Sequence, residues 1–123
     1  MNVVRGSEAE TFERGGNVIT KLLAPSTGAT EIMAWRPKVC PGTWGIHSHD
    51  HEETIIALSG TAKVKIEDEE YTLSGGDACV IPANIPHQLI TPGPEPFECV
   101  VAFPVGTLFI DGDGRDTTPP WAM

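Results

Sequence analysis

The residue types best suited to chemistry in this chain lie close together. Its four histidines are His47, His49, His51 and His87, and three of them crowd into the string P-G-T-W-G-I-H-S-H-D-H-E-E-T-I-I-A-L-S-G from Pro41 to Gly60. In an extended strand side chains two apart share a face, so His47 and His49 project together and strict alternation adds His51 and Glu53. Imidazole nitrogens and a carboxylate oxygen converging on one point suit a divalent iron, manganese, nickel, copper or zinc ion. No thiolate accompanies them, which argues against a structural zinc–cysteine site. A solvated polar turn is the competing reading of H-S-H-D-H-E-E taken alone.

A second string, G-G-D-A-C-V-I-P-A-N-I-P-H-Q from Gly75 to Gln88, supplies the remaining histidine. His87 opens a strand after a turn containing Pro82 and Pro86, where the backbone is rigidly set. A third imidazole on a fixed approach favours the metal reading over the polar turn.

Together the two strings resemble the paired motifs of the cupin superfamily. The first family motif is glycine, a spacer, H-x-H, three or four residues, glutamate, six residues and glycine. Here His47-Ser48-His49 is followed by three residues, Glu53, six residues and Gly60, although only four residues separate Gly42 from His47 where the family commonly has five. The second motif, glycine, five residues, proline-x-glycine, two residues and histidine, is matched by Gly76, Pro82 and His87. Asn84 replaces its inner glycine, and asparagine also tolerates left-handed backbone. The 15 residues between the motifs, Thr61 to Gly75, resemble the short spacer of small microbial cupins.

The resemblance implies an all-β fold, the cupin-type double-stranded β-helix or jelly-roll barrel. It also implies one divalent transition metal ion (Fe, Mn, Ni, Zn or Cu) held by His47, His49, Glu53 and His87. Four protein ligands on an octahedral ion would leave two positions for a chelating substrate or O2. His51 is not a ligand in the family pattern. Strand parity turns it inward, and it is taken with Tyr71 as a candidate for catalytic acid–base work. The activity implied is a mononuclear metalloenzyme, dioxygenase-like in the manner of quercetinases, acting on a small oxygenated organic molecule. A metal-dependent isomerase or lyase, or a non-catalytic cupin that binds a small molecule or sugar, are the other readings. Cupins of this size resemble one another in pairing as homodimers through exchanged edge strands.

The elements that must position these residues are short. Thirteen glycines and eleven prolines punctuate apolar stretches rich in β-branched residues, which is an all-β signature. Strands are expected at Asn17–Leu23, Glu31–Arg36, Thr54–Leu58, Thr61–Glu67, Glu70–Leu73, Ala78–Ile81, His87–Thr91, Phe97–Phe103 and Thr107–Ile110. In T-A-K-V-K-I-E, Ala62, Val64 and Ile66 alternate with Lys63, Lys65 and Glu67, and the following E-D-E-E reads as a hairpin turn. Residues 17–110 are expected to form the barrel, with residues 1–16 a loose arm or added edge strand. Residues 111–123 form a tail whose Trp121 docks on the barrel or on a second subunit. Asp111, Asp113 and Asp116 in that tail lack the glycine and glutamate a calcium loop requires, so an exposed turn is the better reading.

Length and composition bound the remainder. The 123 residues suit one domain, and 40% hydrophobic with 20% charged residues suits a single modest core. Seventeen acidic against eight basic residues give a formal charge of -9, which repels phosphate backbones and anionic lipid. The expected partner is therefore a small molecule, not nucleic acid or membrane. The N-terminal sequence reads as no export signal, and Cys40, Cys79 and Cys99 are too few and too scattered for a disulfide scaffold, so a cytoplasmic location is expected.

Overall fold

Alternating apolar and polar residues can bury one face only if a second sheet covers it, and the chain resolves this with two antiparallel sheets packed face to face. The computed structural model describes residues 2–123. Twelve strands follow in chain order: β1 (Thr11–Arg14), β2 (Asn17–Leu23), β3 (Ile32–Val39), β4 (Gly42–Thr43), β5 (His47–His49) and β6 (Glu53–Ser59), then β7 (Thr61–Ile66), β8 (Glu69–Ser74), β9 (Ala78–Ile81), β10 (His87–Thr91), β11 (Phe97–Pro104) and β12 (Phe109–Asp111). One sheet has the order β1-β2-β3-β11-β6-β9. The other runs β12-β5-β10-β7-β8, with β4 also on β10. Consecutive strands thus often lie in opposite sheets, the jelly-roll arrangement.

The period-2 pattern is clearest in β11, where Phe97, Cys99, Val101 and Phe103 are buried and alternate with half-buried residues. Met33, Trp35 and Val39 of β3 and Ile55 and Ala57 of β6 meet them on the same core. Across the gap, Ala62, Val64 and Leu73 bury the inner face of the β7–β8 hairpin. Its turn is the pair Glu67-Asp68, with Ile66 opposite Glu69 and Glu67 in left-handed backbone at φ 55°. Gly60 joins β6 to β7 at φ 78°, and a side chain there would run into the Pro96 carbonyl, so only glycine fits.

Four elements differ from the sequence expectation by more than one residue at an end, one of them β12, which was expected from Thr107 and begins only at Phe109. β3 continues to Val39, through a buried Pro37, because β2 and β11 flank it on both sides. β4 and β5 are too short for a periodicity signal and are defined by pairing to β10 and β12. At the N-terminus β1 pairs with β2 through a Gly15-Gly16 turn, forming an edge strand. The tail folds back so that Trp121 is buried, 5.8 Å from the Phe12 ring. Among the described residues no helix is long and apolar enough to cross a membrane.

Candidate metal centre

The four residues singled out as ligands come together between the two sheets. β5 and β10 are neighbours with His87 opposite His47, and His49 follows one alternation further along β5. Glu53 arrives from the facing sheet as the first residue of β6. The ligand atoms of His47, His49, Glu53 and His87 all lie within 4.8 Å of one another.

The chain passes from one sheet to the other over Asp50–Glu52, and this crossover corrects the expectation for His51. Strand parity holds only while a strand continues, and β5 ends at His49. His51 instead faces solvent, with its Nδ1 2.9 Å from Asp50 Oδ1. Asp50 Oδ1 also accepts the Leu108 backbone N–H at 2.8 Å, which clips the crossover onto the loop before β12. The second motif is tied to the first in a comparable way. The Asn84 N–H donates to the His49 carbonyl at 2.6 Å, and Asn84 takes the left-handed φ of 64° that the family's glycine would supply. Tyr71 lies on the exposed side of β8, its hydroxyl donating to the Glu69 carboxylate, which holds the phenol above its usual range. Neither His51 nor Tyr71 lines the central cavity, so His51 does not take the inward direction expected of it and Tyr71 lies away from the cluster.

Hydrogen bonds aim the imidazoles. The Gly45 carbonyl accepts from His47 Nδ1 at 2.7 Å and the Ile85 carbonyl from His87 Nδ1 at 2.9 Å, which directs each Nε2 toward the centre. His49 is gripped differently, with its ring edge-on to Phe103 and Phe109 at 4.6 and 4.5 Å. Its Nε2 is 3.4 Å from Glu53 Oε1 without hydrogen-bond alignment, and both ring nitrogens are buried with no hydrogen-bond partner. Unpartnered buried nitrogens are costly unless something else satisfies them. A divalent ion coordinated by three imidazoles and one carboxylate would satisfy one of the two, and the donor set fits it.

Charge within the cluster is consistent with this. Burial pushes Glu53 up, but the close approach of the His49 ring and the hydrogen bond and charge from His87 outweigh it and bring the carboxyl down to about 2. His87 sits above its ordinary range, because Glu53 Oε1 at 3.1 Å and the Ile85 carbonyl overcome the burial that opposes its charge. His47 is lowered, chiefly by burial. Glu53 is thus an anion at neutral pH, ready to offset a cation.

Above the cluster opens a cavity of about 440 Å³. Its walls include Trp35, Trp44 and Phe103. Arg14, Phe109 and Trp121 also line it and were not foreseen. They come from opposite ends of the chain, and no local pattern announces that β1 and the tail close over one opening. Met33 and Phe97 are fully buried core.

Comparison with known proteins agrees with the geometry. No curated protein sequence matches. Among solved structures, the polyketide cyclase RemF from Streptomyces resistomycificus superposes with a TM-score of 0.76 at 20% identity, covering 96% of this chain and 82% of that one. An RmlC-like cupin from Shewanella frigidimarina gives 0.71 at 20% identity over 83% and 88%. A predicted oxalate decarboxylase from Thermotoga maritima gives 0.68 at 24% identity over 81% and 96%. At such identities the likeness shows the fold. The cupin-domain family model matches residues 38–103, which include both motifs and all four clustered residues, and the chain belongs to the cupin superfamily.

Proposed function

We propose that this cupin is a metal-dependent, dioxygenase-like enzyme acting on a small oxygenated organic molecule, with His47, His49, Glu53 and His87 as metal ligands. The observation that carries the reading is the juxtaposition of the four-residue cluster with a cavity whose other titratable groups are not poised for proton transfer. Cys99 is pushed up to about 12, mainly by burial, and stays a thiol. Asp111 is held below the usual carboxylate range by the backbone amides of Arg115 and Asp113, and Arg14 is permanently cationic. An isomerase or lyase needs a positioned base besides the ligands; a dioxygenase needs less from the protein.

When bound, a redox-active divalent ion would supply Lewis-acid polarisation of substrate oxygens and access to O2. The protein's part is to hold and to exclude. The Gly45 and Ile85 carbonyls fix the tautomers of His47 and His87, Phe103 and Phe109 clamp His49, and the apolar walls keep water from the site. In the overall reaction both atoms of O2 enter the organic product, whose carbon skeleton supplies the electrons.

The test is anaerobic loading with Fe(II), Mn(II), Ni(II) or Cu(II), followed by 18O2 and a panel of catechols and enediols. Consumption of O2 with label in the product is expected for at least one metal. Tight stoichiometric binding with no O2 uptake under any metal would replace the enzyme reading with that of a binding protein.

A further inference from the structure

We infer that the cavity takes a planar aromatic molecule of fused-ring size, carrying adjacent oxygen atoms, in preference to a sugar or a small dicarboxylate. This rests on the metal reading of the cluster and names the substrate class of that same site. All three tryptophans of the chain, Trp35, Trp44 and Trp121, line this one cavity, although they come from β3, the loop before β5 and the C-terminal turn. Phe103 and Phe109 continue the wall. Trp35 stacks on Phe103 at 5.4 Å and 28°, Phe103 meets Phe109 at 5.0 Å, and both phenylalanines touch His49. The Trp35, Phe103 and Phe109 rings therefore form a continuous aromatic wall up to His49, a candidate ligand, and Trp44 and Trp121 line other parts of the same cavity.

Aromatic rings often cluster simply to fill a core. Here Trp35 and Phe103 belong to the buried core, yet they and the other rings also border a cavity of about 440 Å³, which is within the range of about 300–1,000 Å³ typical of ligand pockets. A void that size forfeits packing contacts around its whole lining, so its retention points to an occupant. The polar inventory narrows the choice. Outside the cluster the polar and charged side-chain groups among the lining residues, cysteine aside, are those of Arg14, Gln88, Asp111 and Thr117, together with the indole N–H donors of the three tryptophans. Three of these are already engaged. Arg14 donates to the Glu13 carbonyl and lies over Trp121, Asp111 accepts two backbone amides, and Thr117 donates to the Phe109 carbonyl. A polyol would bury hydroxyls with few partners, each at a cost in affinity. A molecule the size of oxalate would leave most of the wall uncovered. Flat rings meet the tryptophan and phenylalanine faces favourably, and adjacent oxygens suit a divalent ion held by imidazoles and a carboxylate.

Calorimetric titration of the zinc-loaded chain tests this without relying on turnover. 2,3-Dihydroxynaphthalene should bind one per chain and at least about 100-fold more tightly than galacturonate or oxalate. Trp44→Leu should weaken the diol about tenfold at unchanged zinc stoichiometry. Trp44 is only half-buried, and an unchanged Tm establishes that this variant is folded. Galacturonate or oxalate binding as tightly as the diol, or a Trp44→Leu chain with full diol affinity, would overturn the inference. Metal-free chain titrated with 2-naphthol separates the two readings. Zinc that fails to bind while 2-naphthol still does would remove the metal assignment and keep the aromatic one. Zinc that binds while neither naphthalene does would reverse that outcome.

Discussion

On one side of Asp50, His49 closes β5 with 2% of its side chain exposed; on the other, His51 stands in the crossover with 48% exposed. The residue type is the same and the separation is the even number that keeps a face in a continuous strand. What differs is the backbone beneath them. His49 is registered against Phe109 of β12 and its carbonyl is fixed by Asn84, whereas His51 belongs to neither sheet and satisfies its ring on Asp50. In this chain the histidine on a paired strand reaches the cluster, and the one in the unpaired crossover is a surface residue although its spacing would keep it on the same face.

The largest effect that would sharpen this contrast is expected for His49→Ala. Zinc affinity measured against a chromophoric chelator should fall by more than about 100-fold, since removing even a residue that only orients a ligand costs about 10- to 100-fold. A change under tenfold would break the four-ligand assignment. Next comes acidification of the wild-type chain. His87 titrates above its ordinary value, so it is where protons first compete with zinc as pH falls. His47 titrates below its ordinary value and joins later. Glu53, held at about 2, stays ionised throughout and does not contribute. Affinity should therefore drop about tenfold per pH unit for each imidazole that competes, steepening toward pH 5, and a flat profile from pH 7 to 5 would contradict histidine ligation.

Smaller effects are expected beyond Asp50. Asp50→Ala removes the acceptor for the Leu108 amide at 2.8 Å and should cost about 1 kcal/mol, seen as a Tm lowered by about 4 °C at near-normal zinc affinity. His51→Ala should be the mildest, with zinc affinity within about twofold of the parent. Loss comparable to that of His49→Ala would erase the distinction between the two histidines.

The strands that carry the core were legible because β-branched alternation bounded by glycine and proline has one physical reading. β2, β9 and β10 lie where the pattern puts them, and the ends of β6, β7 and β8 shift by only one residue. The hairpin turn was legible in E-D-E-E, though it takes only Glu67 and Asp68, and Glu69 and Glu70 open β8. The two- and three-residue strands β4 and β5 were not, since periodicity needs length. Glu53 reached the cluster by a route the alternation argument did not contain: it sits on the opposite sheet, and the crossover between sheets happens to restore its inward direction. Arg14, Phe109 and Trp121 at the cavity were invisible locally, because their proximity depends on β1 and the tail folding over the same opening.

By itself the sequence determined the candidate donor residues, the two motifs and the strand-rich architecture, all of which follow from short-range spacing and backbone preference. Only the tertiary structure decided which of three neighbouring histidines turn inward, that His49 is left with buried unpartnered nitrogens, and that every tryptophan faces one cavity. The reason is that spacing fixes direction within a strand. Which sheet a strand joins, and what lies across from it, is fixed by contacts between residues far apart in the chain.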